Sequence, residues 1–153
     1  MKHIRNIYYT SIVGLFLLAS QTNSQTVTAE ISYGELIDKI TILTIKSERI
    51  ISRSKLNNIY TELAALQKVY DEYIGNRLDI LQLKELLKSI NAAQWDMEDA
   101  FRVKERNNEF DEEFITIACN IRTSNDKRCS VKKQIDELCG STITEEKSYE
   151  ELV

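Results

Sequence analysis

The sequence predicts an all-α fold, an antiparallel bundle of about four helices ending in a long C-terminal helical hairpin. Three observations predict it. Apolar residues recur at helical spacing through most of the chain beyond residue 30, and no stretch alternates convincingly as a strand would. There is no proline, and three of only four glycines, Gly34, Gly75 and Gly140, punctuate the ends of the apolar runs. At 153 residues the chain has room for one domain with a real core.

Residues 1–29 read as an export signal that is cleaved. Lys2, His3 and Arg5 form a basic start without an acid, Ile12 to Ala19 an apolar stretch, and Val27-Thr28-Ala29 offers small residues for cleavage. Eight apolar residues are too few for a stable membrane anchor. The expected product, residues 30–153, is a single helical domain with an acidic tail over 141–153, exported to the periplasm or medium.

The first helix opens at Ser32-Tyr33-Gly34-Glu35, a capping box in which hydroxyl and carboxylate each satisfy an orphan amide, with Ile31 and Leu36 placed as a hydrophobic staple. It is expected to run to about Ile51, burying Leu36, Ile37, Ile40, Leu43 and Ile50. A short turn at Ser52-Arg53-Ser54 forces an antiparallel return. The second helix keeps a 3-4 spacing, Leu56, Ile59, Leu63, Leu66, Tyr70, Tyr73, and stops at Gly75. The third starts near Asp79, with Leu78 and Leu83 as a second staple and a seam of Leu83, Leu86, Ile90, Ala93, Met97 and Phe101. Asn107-Asn108 ends it. Glu109, Asp111, Glu112 and Glu113 then load the next N-terminus with charge that the helix dipole favours. The fourth helix follows Phe110, Phe114, Ile117, Ile121, Ser124, Arg128, Val131, Ile135 and Leu138 to a left-handed cap at Gly140.

Two polar rhythms interrupt these seams. Asn91, Trp95, Glu98, Arg102 and Glu105 lie about 120° around the third helix from Met97, on the flank of its core face. Ser124 and Arg128 break the fourth seam. An arginine at a seam position either snorkels out, pairs with a carboxylate such as Glu98, Asp99 or Asp38, or faces a ligand. The candidate site is therefore Trp95, Glu98, Arg102, Asn125 and Arg128, between helices three and four, with Asp38, Asp96, Asp99 and Lys132 in a second rank. Trp95 would be a stacking anchor, and Arg102 and Arg128 would hold a carboxylate or phosphate. Arg128→Met is expected to spare the fold and abolish binding.

The segments Ser32-Tyr33-Gly34-Glu35-Leu36-Ile37-Asp38-Lys39-Ile40-Thr41-Ile42-Leu43, Trp95-Asp96-Met97-Glu98-Asp99 with Arg102 and Lys104-Glu105, Thr123 to Arg128, and Gly140-Ser141 with Glu145-Glu146-Lys147-Ser148-Tyr149 resemble DUF6165, a bacterial family of unknown function. The resemblance spans nearly all of the chain beyond the leader. It implies no activity; the occurrence of some members beside helical repeats implies a binding role. The leader and the three cysteines depart from the family's usual form. The matched pattern in the tail implies a segment that folds back, with Tyr149 on the bundle and Glu145 or Glu146 against a helix-borne base.

Charge and composition narrow the function classes. Without residues 1–29 the chain carries 18 basic and 24 acidic residues, 18 minus 24 or −6, which argues against nucleic acid and anionic membranes. The sole histidine is His3, so no imidazole base exists for a nucleophilic triad in the exported chain. Cys119, Cys129 and Cys139 lie on one helix about 15 Å apart, beyond disulfide reach, and are expected to act as small buried hydrophobes. No metal site is expected. The enzyme alternative is a magnesium-dependent hydrolase using the i,i+3 acids Asp96/Asp99 or Glu109/Glu112, pairs that an acid-rich chain also produces by chance. A third alternative is a structural homodimer cross-linked through Cys119 or Cys139. The reading preferred is a binding module for a protein, a peptide or an acidic saccharide, without cofactor and with catalysis unresolved.

Overall fold

A computed structural model describes residues 27–146, and within them the chain forms four α-helices and no strand. The segment expected to be an export signal, residues 1–29, falls almost wholly outside the described residues, as do Lys147, Ser148 and Tyr149. Helix α1 spans Tyr33–Arg49, α2 Arg53–Tyr73, α3 Leu78–Asn107 and α4 Glu112–Cys139. No described helix is long and apolar enough to cross a membrane.

α1 is the central helix. It packs on each of the other three, while α2 packs chiefly along α1, with Lys84 of α3 over its Tyr70 ring, and α3 packs along α4. Successive helices run antiparallel. α1 and α3 meet where Asn91 donates to Asp38, Lys88 pairs with Glu48 and Arg49 pairs with Asp96. The packing is that of the helical bundle the sequence predicts. α1 has only 17 residues against 30 and 28 for α3 and α4, and it ends where Arg49 meets Asp96. The α3–α4 hairpin therefore extends past it, held at its far end by Phe101 stacked on Phe114 with ring centres 4.4 Å apart.

The central position shows in burial. Leu36, Ile37, Ile40, Leu43 and Ile45 of α1 are all buried, and Tyr70, Ile80, Leu87, Val131 and Ile135 pack around the first three. Ile50 is only partly covered because α1 ends before it.

The ends of α1 and α4 are set by particular side chains. The Ser32 hydroxyl accepts from the Glu35 amide at 3.2 Å, but the Glu35 carboxylate reaches across to Lys132 instead of back to the cap. Only half of the expected capping box forms, because a buried ammonium competes for that carboxylate. Neither staple closes: Ile31 is 50% exposed and Leu78 76%. At Gly34, a Cβ would lie 2.6 Å from the Lys132 carbonyl oxygen, so glycine here allows close approach of α1 to α4. The freed Gly34 amide donates to Asp136 at 2.6 Å, an anion on the positive end of α1. At the C-terminus of α4, one turn beyond Asp136, Gly140 adopts φ 68° and ψ 39° and caps the helix, as its position predicts.

The third-helix seam differs from expectation. Ile80, Leu87 and Asn91 are its buried positions, whereas Leu86 is 47% exposed. α3 has two partners and therefore two contact faces. Ile90, Ala93 and Met97 border α4; Asn91, Trp95 and Glu98 border α1. The ends of the predicted fourth seam, Phe110 and Leu138, are also well exposed. All three cysteines are free, but Cys119 is exposed and the other two are partly covered, so none is the buried hydrophobe expected. α4 buries one face only, and Cys119 lies in its distal half, beyond the reach of α1.

Candidate functional site

The polar site grows from one buried carboxylate. Asp38 lies in the apolar face of α1 between Ile37 and Ile40 and is 2% exposed. A charge there is tolerable only if paired and hydrogen-bonded. Arg128 of α4 supplies the pair: its Nε donates to Asp38 Oδ1 at 2.8 Å and its Nη2 donates to Oδ2, a bidentate fork. Asn91 of α3 donates to Asp38 Oδ1 and to the Thr41 hydroxyl, both at 2.9 Å. Thr41 in turn donates to the Asp38 carbonyl at 2.8 Å, and Arg128 Nη1 donates to Asn125 at 3.3 Å. One network thus ties three helices, and the Asp38 hydrogen bond raises the Arg128 guanidinium above its ordinary value.

Above this network a cleft of about 400 Å³ opens between α1 and α3. Ile42 and Ile45 of α1 form its apolar wall; Gln94, Trp95, Glu98, Asp99 and Arg102 of α3 line the other side, and Arg128 lies at its base. Trp95 donates its indole N–H to Asp99 at 2.9 Å, and Arg49 lies 5.8 Å over its ring while paired with Asp96. Glu98 and Arg102 form a loose i,i+4 pair at 3.4 Å.

Four of the five first-rank residues, Trp95, Glu98, Arg102 and Arg128, line this one cleft. Asn125 does not line it but supports Arg128 from the side. The cleft lies between α1 and α3 rather than between α3 and α4, since the stripe on α3 turns toward α1. Of the second rank, Asp38 anchors the base and Asp99 lines the wall. Asp96 sits on the outer surface with Arg49. Asp96 and Asp99 thus hold different partners, and among the described residues no three His, Cys, Asp or Glu side chains converge as metal ligands.

Lys132 belongs to a second cluster one turn along α4. It is 5% exposed and bridges Glu35 of α1 and Glu145 of the tail, the latter at 2.5 Å. The tail does fold back through Glu145 as its pattern implies. Burial alone would lower the Lys132 pKa; the hydrogen bonds with Glu145 and Glu35 outweigh it and raise the value.

Sequence reasoning missed Thr41, Gln94, Ile42 and Ile45. Asp38 and Thr41, polar at i,i+3 inside a run of isoleucines, carried a legible sign of a buried network. Gln94 carried none, because its exposure follows from the packing of α1.

The profile of DUF6165, a family of unknown function, matches residues 27–153, and the chain belongs to that family. No curated protein matches the chain. No solved structure matches it.

Proposed function

We propose that this protein is an exported helical binding module whose α1–α3 cleft takes a small polar group of a ligand or partner polypeptide. The observation that carries the reading is the convergence of Trp95, Glu98, Arg102 and Arg128 on one cleft of about 400 Å³, within the range typical of ligand sites, roughly 300–1,000 Å³. Support also comes from rigidity. The cleft stands on two helices cross-linked beneath it by the Asp38–Arg128–Asn91 network, so its side chains are held ready before a ligand arrives. The leader motif in the sequence supports export.

A thermal-shift screen of the protein against small amines, carboxylates, saccharides and capped peptides tests the reading. A ligand present at a hundredfold over its Kd adds about 2.7 kcal/mol of stability. At about 4 °C per kcal/mol for a domain near this size, that is a rise in Tm of roughly 10 °C. Trp95→Ala should abolish the rise. Binding that survives Trp95→Ala unchanged would place the ligand elsewhere and end this reading.

A further inference from the structure

The charge in the cleft identifies the ligand chemistry more closely. Arg128 is the most prominent cation in the cleft, yet its fork is already committed to Asp38 and its remaining nitrogen to Asn125. Arg49, at the rim, is likewise committed to Asp96. The groups left are Glu98 and Asp99 against Arg102, two negative charges against one positive. Among the described residues Asp99 pairs with no cation; its only partner is the Trp95 indole N–H. The aromatic surface points the same way, since Trp95 already seats one guanidinium, that of Arg49, over its ring.

We infer that the cleft binds a cationic hydrogen-bond donor, an ammonium or guanidinium group, rather than a carboxylate. This rests on the binding reading above. The donor would lie against Asp99 and Glu98 and leave Arg128 to its structural pair. The source is either a basic side chain of a partner polypeptide or a free diamine or guanidine.

Trp95 is the only tryptophan in the chain, so its indole N–H resonance reports on this cleft alone. The test is a titration of the isotope-labelled protein with four probes: agmatine, a capped tripeptide with a central arginine, a capped tripeptide with a central glutamate, and galacturonate. Agmatine and the arginine peptide should each shift the indole signal saturably, with a Kd on the order of millimolar for so few atoms. Asp99→Asn, which keeps an acceptor for the indole N–H and removes the charge, should weaken both by about tenfold, the loss of one charge-assisted hydrogen bond. Glu98→Gln serves as a second variant and should weaken them in the same direction. Tighter binding of the peptide than of agmatine assigns a polypeptide partner; equal binding assigns a free amine or guanidine. Saturable binding of galacturonate or the glutamate peptide, with no response to the cations, would overturn the inference and leave the binding module standing. No response to any probe would overturn both.

Discussion

With Arg128 paired to buried Asp38, replacing it by methionine is expected to damage the fold itself, which reverses the sequence expectation that Arg128→Met spares it. The change removes the only cation that faces Asp38 among the described residues, a carboxylate that is 2% exposed and held inside the isoleucine face of the central helix. Asn91 would remain as a single neutral donor to Oδ1. Breaking a buried pair by removing one partner costs about 3–5 kcal/mol, since the other charge is left without compensation. A domain of roughly 120 residues shifts its Tm by about 4 °C per kcal/mol, from about 2.1 cal/mol/K of unfolding entropy per residue. Arg128→Met should therefore lower Tm by roughly 12–20 °C. The double variant Asp38→Leu/Arg128→Met replaces both charges with apolar volume and should recover most of the loss. Urea denaturation of the parent, both single variants and the double variant closes the cycle. A destabilisation by Arg128→Met of under about 1 kcal/mol, the range of exposed pairs, would refute the argument that this pair holds the bundle together.

Two further perturbations test the second contact between α1 and α4. Gly34→Ala places a Cβ 2.6 Å from the Lys132 carbonyl oxygen and must push the helices apart; a loss of about 1–3 kcal/mol is expected in the same denaturation assay, and a neutral result would mean that the approach is looser than described. Lys132 has its folded pKa raised above the unfolded value, so its stabilising contribution is complete below about pH 10.4 and disappears as pH rises through the folded value. The stability difference between the parent and Lys132→Met should accordingly be constant near neutrality and shrink in strong alkali. Glu145→Gln should leave α4 intact and speed proteolysis of the tail after Gly140, as read by mass spectrometry.

The helices themselves were legible because their signals are local. Ser32 and Gly140 cap where their chemistry requires, and the 3-4 spacing of Leu56, Ile59, Leu63, Leu66 and Tyr70 describes the covered face of α2, although its last predicted member, Tyr73, is 63% exposed. The packing was less legible, and α3 shows why. A helical seam read from sequence assumes one partner, and centring that seam on Met97 relegates Asn91, Trp95 and Glu98 to a flank. With α1 packed against that flank, it becomes the second contact face, and its polar residues become the wall of a cleft. No local spacing rule announces that the first helix will return to lie beside the third.

The same long-range fact decides what Arg128 does. Its seam position signalled a partner, and Asp38 was one of three carboxylates within consideration, ninety residues away in sequence. Choosing among them required knowing which helix faces α4 at that level. Once Asp38 takes the fork, the arginine that looked most like an anion receptor becomes structural, and the charge left in the cleft changes sign. The expectation of a ligand carboxylate came from counting Arg102 and Arg128 together. With Arg128 neutralised, Glu98 and Asp99 outnumber Arg102, and a donor-bearing cation is the better match. A hidden carboxylate on the central helix thus fixes both the stability of the bundle and the polarity of its cleft.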